Sequence, residues 1–342
     1  MKIKILYTLT FSIFIMFSCN RNVPKVTLNE DPNNKNVEVM VNGRLFTVYN
    51  WRDDIFKPVL YPVYTSAGTE ITRGYPINQR DGERSDHPHQ IGIMLNYRDV
   101  NGYNFWGNGS QGLGIRNEDG GIIKHVSVKN ISEGKGKGSM KTVESWVDPY
   151  GKELLKEDSE YHFIAKDNIR IIDRITTLTA TDEDVSMNDK KDGLFAIRVA
   201  RELEIPDQGT VTFDTETVQG NTDNIVTGNY LSSEGQTGLD VWGTRARWMD
   251  LFGIIGDEKI SIVMCDHPKN PYYPTYWHAR GYGLLAANPL GWSDFTNNEK
   301  QLNFNIPAGE SVTFRYRVII SSGKYLKPEI INEYADEFAT KY

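Results

Sequence analysis

The sequence predicts an all-β protein, a large antiparallel β-sandwich that ends in one short helix. Three observations indicate this class. Apolar and polar residues alternate along most of the candidate elements, which is the period of half-buried strands. Turn-forming residues separate these elements at short intervals, as they do in sandwiches and barrels. Only residues 327–342 carry apolar side chains at helical spacing, and Pro328 there suits a first helical turn.

The first element in chain order is a β-hairpin. Its predicted strands, 37–41 and 44–49, are joined by Asn42-Gly43, a pair that supplies the positive φ angles of a type I′ turn. The glycine-rich run 133–138 lacks the phosphate-loop pattern, so we expect a turn between two strands there. The further predicted strands cover residues 122–129, 140–147, 161–165, 169–178, 195–203, 210–215, 246–252, 260–265, 283–287, 302–306 and 311–320. This number of strands is enough for two packed sheets.

The N-terminal region is predicted to be a lipoprotein signal. Residues 1–18 combine two early lysines with an apolar run that is too short for a membrane span. Ser18-Cys19 follows this run and resembles the cleavage site of bacterial lipoproteins, which makes Cys19 the expected lipidation site. The sequence therefore predicts a protein of the Gram-negative cell envelope, in the periplasm or at the outer membrane, whose membrane contact is the lipid anchor only.

The rest of the chain is predicted to form one domain. Residues 19–35 are polar and are expected to be a flexible tether. No glycine- or proline-rich linker divides the part that follows. We therefore expect residues 36–342 to fold as a single β domain.

Composition limits the classes of partner. The 342 residues carry a formal net charge of −7, and lysine and arginine are scattered rather than arranged in stripes. This distribution argues against a nucleic-acid partner. The chain contains only Cys19 and Cys265. With Cys19 lipidated, we expect neither an internal disulfide nor a cysteine zinc cluster.

A pair of histidines stands in the stretch RSDHPHQ, residues 84–90. His87 and His89 flank Pro88, which favours extended backbone before it, and in an extended segment both imidazoles project to one side. Three interpretations stay open. The pair binds a divalent metal, which is the candidate cofactor. It transfers protons near neutral pH. Or it fills a loop in which Asp86 accepts a hydrogen bond.

A second segment, 265–283, repeats the Asp-His-Pro sequence at 266–268. It contains three prolines and five aromatic residues. Flat aromatic faces beside charged groups suit sugar rings, although a loop that packs over the end of a sheet would have a similar composition. The catalytic candidates from both segments are His87, His89, His267 and His278, with Asp86 and Asp266 orienting the imidazoles or supplying a carboxylate.

Three arginines and three aromatic residues are the candidates for substrate binding. Arg245 and Arg247 share one side of a predicted strand, where they would clamp a carboxylate or phosphate or pair with internal acidic residues. Arg280 would join them in stabilising negative charge. The predicted stacking walls for a sugar are Trp106, Tyr276 and Trp277.

Five motifs together resemble an uncharacterised bacterial family that carries the label "methane oxygenase PmoA-like". They are DHPHQIG (86–92), DVNGYNFWG (99–107), DGLFAIRVA (192–200), VWGTRARWMD (241–250) and the run 266–291. The resemblance spans roughly residues 36–325. The family's first motif is closer to DHPHHRG, and Gln90 and Ile91 stand here in place of its third histidine and its arginine. No membrane span follows the signal segment, so methane oxidation in a bilayer is not expected.

A fainter resemblance concerns residues 302–317, which are similar to the closing strands of galactose mutarotase-like supersandwich domains. It implies that fold and a carbohydrate ligand. Mutarotases use a histidine acid and a late glutamate base. No late glutamate lies in an obvious motif here, so that mechanism does not carry over.

These observations predict an envelope-anchored, carbohydrate-active protein. Its expected chemistry is acid–base hydrolysis, elimination or epimerisation of a sugar or glycoside in a histidine-rich cleft, with or without a metal at His87 and His89. The alternative is a carbohydrate-binding lipoprotein without catalysis. The expected partners are a carbohydrate and, through the lipid, a membrane, with no nucleic acid.

Overall fold

The computed structural model describes residues 23–206, 210–213, 216–219 and 225–342. The predicted signal peptide, 1–18, and the predicted lipidation site Cys19 lie outside these residues. The strands are β1 (Lys25–Asp31), β2 (Asn36–Val41), β3 (Arg44–Asn50), β4 (Val59–Val63), β5 (Ile93–Leu95), β6 (Ile122–Ser132), β7 (Gly134–Lys135), β8 (Lys137–Val147), β9 (Glu153–Lys166), β10 (Ile169–Ala180), β11 (Val185–Met187), β12 (Phe195–Arg198), β13 (Thr210–Phe213), β14 (Glu216–Gln219), β15 (Asn229–Ser232), β16 (Trp248–Ile255), β17 (Glu258–Asp266), β18 (Tyr276–Arg280), β19 (Leu284–Asn288), β20 (Phe304–Ile306) and β21 (Ser311–Ser322). The helices are α1 (Trp292–Phe295), α2 (Pro328–Lys341) and two 3₁₀ turns at Arg201–Leu203 and Gly238–Val241.

Two large antiparallel sheets contain most of these strands. The first sheet has nine strands in the order β18-β19-β12-β5-β4-β3-β2-β1-β7, and the second has eight in the order β15-β16-β17-β21-β10-β9-β8-β6. The remaining strands form two short ribbons, β11-β20 and β13-β14. Strands that are neighbours in a sheet are often far apart in the sequence, so many of the sheet contacts are long-range.

The main core lies between the two sheets. Phe46 of β3 meets Phe163 of β9 edge to face at 6.3 Å between ring centroids. Phe195 of β12 stacks on Tyr316 of β21 at 5.0 Å. Face-to-face packing of antiparallel sheets over an apolar layer defines a β-sandwich. The predicted fold class is confirmed.

The predicted C-terminal helix is also confirmed, as α2. Its residues Ile331 and Phe338 are buried against the outer face of the second sheet, in a cluster with Trp248 and Val263. Removing these apolar side chains from water is what holds the helix on the sheet. Among the helices that the structure describes, none is long and apolar enough to cross a membrane.

The first hairpin forms as its turn residues predict. Asn42 and Gly43 have φ angles of 50° and 75°, the signs that a type I′ turn requires. Val41 pairs with Arg44 directly across this turn. The local chemistry of two residues therefore sets the register of β2 and β3.

The predicted tether is wrong over residues 25–31, because they form β1. Val26 and Leu28 are buried in the core, and Val26 pairs with Val41 of β2. KVTLNED has only two apolar residues, so its alternation is too short to mark a strand in the sequence. The folded domain therefore begins before residue 36. β1 also pairs with β7, which lies inside the glycine run that was predicted to be only a turn.

The outer face of the first sheet carries a second, smaller apolar layer. Ile91 and Trp106, from the loops on either side of β5, pack there with Met94 of β5 and Ala196 of β12. Side chains alternate along β18, so Trp277 lies in the main core whereas His278 and Arg280 lie on this outer face. The outer face of the first sheet therefore brings loop residues and strand residues into one place.

Candidate functional site

A cleft of about 330 Å³ opens on this outer face. Its lining comes from four segments of the chain, two between residues 87 and 110, one at 191–192 and one between 278 and 282. The lining residues are His87, His89, Gln90, Arg98, Trp106, Gly107, Ser110, Lys191, Asp192, His278, Arg280 and Tyr282.

The loop that carries the first histidine pair turns rather than extends. His87 has a φ angle of +46°, and the Gln90 N–H donates to the His87 carbonyl at 3.0 Å. The rings of His87 and His89 therefore meet edge to face, 5.7 Å apart at 65°. The prediction of an extended segment is wrong, because His87 lies in the left-handed region. The turn still brings both rings to the cleft.

A buried arginine holds this loop in place. Arg73 donates to the carbonyl oxygens of Asp86 at 2.7 Å, His87 at 2.8 Å and Gln90 at 3.1 Å. Its side chain is 1% exposed. Three hydrogen bonds from one rigid guanidinium group to carbonyl oxygens fix the backbone of the whole turn. They therefore fix the position of His87.

Asp86 is bound by three cationic or polar groups at one oxygen. Its Oδ1 lies 2.9 Å from Arg73 Nη1, 2.8 Å from Arg198 Nη2 and 3.2 Å from His87 Nδ1. Burial alone would raise the pKa of Asp86, but the hydrogen bond from His87 and the charges of Arg198 and Arg73 outweigh it. The pKa of Asp86 is therefore held well below its ordinary value, and the group stays ionised.

His87 is oriented on two sides. Its ring stacks on Tyr282, 5.1 Å between centroids at 12°, while Nδ1 faces Asp86. The side chain is 41% exposed. No hydrogen bond reaches Nε2 from any residue that the structure describes. An imidazole with Nδ1 on a carboxylate and Nε2 open is arranged to accept or deliver a proton through Nε2.

The other two cleft histidines are buried and neutral. Burial, followed by the charge of Lys57, lowers the pKa of His89 well below its ordinary value. Burial and then Arg280 lower the pKa of His278 to about 3. Arg280 Nε donates to His278 Nε2 at 3.2 Å, which leaves the proton of the neutral ring on Nδ1, 3.8 Å from Asp192. His278 therefore holds Arg280 and does not have a free basic nitrogen.

The aromatic residues of the cleft differ in exposure. Trp106 is 2% exposed and forms part of the floor, with its ring 6.5 Å from both His89 and His278. Tyr282 stands at the side, between His87 and the Arg198 guanidinium, which lies 4.6 Å from its ring centroid. The sequence prediction omitted Tyr282. Its position in the same 265–283 segment was the signal that would have found it.

The second Asp-His-Pro does not line this cleft. Asp266 accepts hydrogen bonds from the N–H groups of His267 and Thr275 and from Asn270 Nδ2. His267 is fully buried and packs edge to face on Phe338 of α2, 4.9 Å between centroids. Both residues organise a loop beneath α2, so the expectation that the two repeats share one cleft is wrong.

Four predicted binding residues also lie elsewhere. Arg245 donates to the carbonyl oxygens of Tyr272 and Pro274. Arg247 donates to Asn332 and Asp336 of α2. Trp277 is fully buried and donates to the Ala246 carbonyl, and Tyr276 stacks on Phe295 of α1. Of the six predicted binding residues, the structure places Trp106 and Arg280 in the cleft.

The donor atoms beside His87 do not suit a divalent metal. The structure describes no group of three or more histidine, cysteine, aspartate or glutamate side chains that could hold one. Asp86, the nearest carboxylate, already binds two guanidinium groups within 3 Å. A cation placed there would meet fewer than three ligands among the described residues and two positive charges.

The fold and the cleft define a β-sandwich protein with a polar, histidine-containing pocket on one sheet face. Residues 36–336 match the family of unknown function DUF6807, and the chain belongs to that family. No curated protein matches it. The family description names no activity, so the resemblance to a family labelled "methane oxygenase PmoA-like" stays a prediction.

Several solved structures match the chain at low similarity. The GH36 α-galactosidase AgaB from Geobacillus stearothermophilus matches over 86% of this chain and 41% of its own, at 10% identity and a TM-score of 0.40. A galactose mutarotase related enzyme from Lactobacillus acidophilus matches over 87% and 97%, at 8% identity and a TM-score of 0.30. The chain thus spans about two fifths of the α-galactosidase. Likenesses at this level carry no argument about function.

Proposed function

We propose that this protein is a carbohydrate-active enzyme that moves a proton to or from a sugar, with His87 as the proton-transferring residue. The observation that carries the proposal is the Asp86–His87 pair at the cleft. Asp86 is kept ionised by two arginines, and His87 presents a free Nε2 beside an aromatic wall. This is the arrangement of an oriented general acid–base group.

The shape and lining of the cleft support a sugar as the substrate. Its volume of about 330 Å³ is in the range of small-molecule sites. The rings of Tyr282 and Trp106 border the space, and Ser110, Lys191 and Arg98 add polar groups to its lining. Sugars combine apolar C–H faces with hydroxyl groups, so a lining that mixes aromatic rings with several hydrogen-bond donors fits them.

The number of carboxylates that line the cleft favours proton transfer at a sugar carbon over hydrolysis. Hydrolysis of glycosides ordinarily uses two carboxyl groups on either side of the scissile bond. Asp192 is the one carboxylate among the described residues that line the cleft. Epimerisation and elimination need a base positioned at a C–H bond, and His87 Nε2 meets that need. β-Elimination, and epimerisation at a carbon next to a carbonyl or carboxyl group, both break a carbon–hydrogen bond.

Solvent deuterium incorporation tests this proposal. The full-length chain, purified in detergent, would be incubated in D₂O with galactose, glucose, galacturonate, glucuronate and their methyl glycosides. We expect deuterium at a ring carbon of at least one sugar, or an unsaturated sugar formed by elimination, and NMR measures both products. His87→Gln is expected to reduce the rate by at least about 100-fold, the contribution of one general acid–base group. Release of free sugar without carbon-bound deuterium would instead show hydrolysis and contradict this assignment.

His125→Gln is the matched control for that experiment. His125 lies on β6, outside the cleft, where its ring stacks on Trp51 at 4.1 Å. The same imidazole is removed, so a general effect of losing a histidine would appear in both variants. We expect the control to keep the wild-type exchange rate.

A carbohydrate-binding protein without catalysis is the second candidate. The observation that favours it is that His89 and His278 are both buried and neutral, which leaves His87 as the exposed imidazole among the three. Under this function the wild type binds a sugar but exchanges no carbon-bound hydrogen. His87→Gln would then leave affinity nearly unchanged, because the exposed ring contributes little to binding.

We also propose that Cys19 is lipidated and anchors the domain in the Gram-negative cell envelope. The support is sequence alone: a short apolar run after two lysines, followed by Ser18-Cys19. Expression with a labelled fatty acid tests it. We expect label in the wild type and in Cys265→Ser, which removes the buried second cysteine. Label that persists in Cys19→Ser would contradict the anchor site.

A further inference from the structure

The cleft has the opposite charge to the chain that contains it. The whole chain has a formal net charge of −7. The cleft lining contains Arg98, Lys191 and Arg280 against the single carboxylate of Asp192, so the lining carries 3 − 1 = +2. A positive cleft in a negative protein selects for anionic ligands by attracting them and holding their charge.

Arg98 is held at the wall of the cleft without a partner. It follows β5, and its side chain is exposed. A Cβ atom built on Gly107, another lining residue, would lie 3.4 Å from Arg98 Nη1, so the guanidinium rests against the Gly107 backbone. No carboxylate forms an ion pair with Arg98 among the residues that the structure describes. Its donors therefore face solvent in the cleft.

Arg280 is held more rigidly, also without a carboxylate. Its Nε donates to His278, and its guanidinium lies 5.3 Å from the centroid of the Trp242 ring. These contacts use one donor and one face of the group. Neither terminal nitrogen donates a hydrogen bond to any described residue. The planar end that pairs with a carboxylate in two parallel hydrogen bonds is thus available and oriented.

Lys191 and Asp192 behave differently, which makes the arginines the specific feature. Lys191 Nζ lies 3.5 Å from Asp192 Oδ2, so these two charges largely offset each other. Beneath the cleft, Arg73 and Arg198 share Asp86, which leaves a further positive charge. The uncompensated positive charge is therefore concentrated at Arg98, Arg280 and the arginines below His87.

We propose that Arg98 and Arg280 bind the carboxylate of an acidic sugar, so that the natural ligand belongs to the uronic-acid class. This inference rests on the proposed function, because it names the substrate of the same cleft. A neutral sugar would leave both guanidinium groups without an anionic partner. A planar carboxylate would engage the fork of Arg280 and the charge of Arg98 together.

Ligand pairs that differ only in charge test the proposal. Binding of short galacturonate oligomers and of their methyl esters to the full-length protein would be measured by calorimetry. The esters keep the shape and lose the negative charge. We expect the acid to bind at least about tenfold more tightly than the ester at low salt, and less so at high salt. Equal binding of acid and ester would overturn the proposal.

Three variants assign the effect to the arginines. Arg98→Gln is the safest, because the exposed side chain forms no ion pair with a described residue, and we expect it to weaken binding of the acid about tenfold and binding of the ester by much less. Arg280→Lys keeps the charge but not the planar fork, and a partial loss is expected. Arg44→Gln removes the same charge from the exposed β2–β3 turn. If Arg44→Gln weakened binding of the acid as much as Arg98→Gln, the effect would come from the overall charge of the protein. The assignment to Arg98 would then be overturned.

Sulfated galactan oligomers of the same length separate the two sources of negative charge. Tighter binding of the acid than of the sulfate ester supports a carboxylate, and the reverse order overturns that part of the proposal. Failure of the two proposals is also distinguishable. His87-dependent exchange on neutral sugars alone would overturn this inference and leave the proposed function. Acid-specific binding without any exchange would overturn the proposed function and leave this inference.

Discussion

The tripeptide Asp-His-Pro occurs twice in this chain, at 86–88 and at 266–268, and the two copies have different environments. In the first copy the histidine is 41% exposed at a cleft and the aspartate binds two arginines. In the second copy the histidine is fully buried under α2 and the aspartate binds amide N–H groups. The same three residues therefore serve as a candidate acid–base group in one place and as a loop anchor in the other.

The pKa values of the two aspartates are also shifted in opposite directions. Arg73, Arg198 and His87 hold the pKa of Asp86 well below its ordinary value in spite of burial. Burial raises the pKa of Asp266 to about 7, because its amide donors offset only part of the desolvation. The partner, more than the depth of burial, decides which protonation state a buried carboxyl keeps.

The largest expected effect on stability comes from Asp86→Asn. The substitution removes the negative charge shared by Arg73 and Arg198 and leaves two buried guanidinium groups without it. We expect the free energy of unfolding to fall by about 3 kcal/mol, the lower end for a broken buried ion pair because Asp86 is 21% exposed. Urea unfolding followed by tryptophan fluorescence measures this. An unchanged midpoint would show that the arginines do not depend on Asp86.

Asp266→Asn should cost less. Asparagine keeps one oxygen acceptor but turns an N–H₂ group towards one of the three donors that now reach the carboxylate. One unsatisfied buried donor costs about 1–3 kcal/mol. We expect this variant to keep the wild-type sugar binding, since Asp266 does not line the cleft. Loss of binding with intact folding would place the second repeat in the functional site after all.

The two variants should change the pH dependence of stability in opposite directions. The pKa of Asp86 is lower in the folded state, so its stabilisation is present above its unfolded value and is lost as pH falls. The pKa of Asp266 is higher in the folded state, so its contribution is greatest at low pH and declines as pH rises from about 4 to about 7. Unfolding at about pH 2.5, 4, 5.5 and 7 should show a flatter dependence below pH 4 in Asp86→Asn and a flatter dependence between pH 4 and pH 7 in Asp266→Asn. Parallel shifts at every pH would contradict the assignment.

The smallest expected effect is that of metal removal. The ligands beside His87 do not suit a divalent cation, so EDTA followed by dialysis should leave sugar exchange within experimental error. Mass spectrometry of wild type and of a His87→Ala/His89→Ala double variant provides the matching measurement. A stoichiometric metal that disappears in the double variant would contradict the conclusion that the cleft residues do not suit a divalent cation.

The sequence predicted the fold class well because its signals are local. Asn42-Gly43 sets a turn by its own backbone preferences, and α2 carries its own apolar stripe. β18 was absent from the predicted strands, because three prolines and five aromatic residues give the 265–283 segment the composition of a loop. β1 was missed because only Val26 and Leu28 mark it among polar neighbours. A strand with only two apolar residues, or one with both faces buried, needs tertiary information to be identified.

The site was predicted less completely, for a related reason. His87, His89, His278 and Arg280 were singled out by composition, and the cleft does contain them. The sequence could not separate His267 from His87, because the burial of His267 depends on Phe338 of α2, far along the chain. Arg98 and Asp192 enter the cleft only through the pairing of β5, β12 and β19, which long-range contacts decide.

The most direct test of the contrast between the two repeats is solvent deuterium exchange by His87→Gln and His267→Gln, measured side by side on one sugar. We expect His87→Gln to lose at least about 100-fold in exchange rate, while His267→Gln, once shown to be folded, keeps the rate of the wild type. Equal losses in the two variants, or no loss in His87→Gln, would contradict the claim that His87 transfers the proton in this cleft.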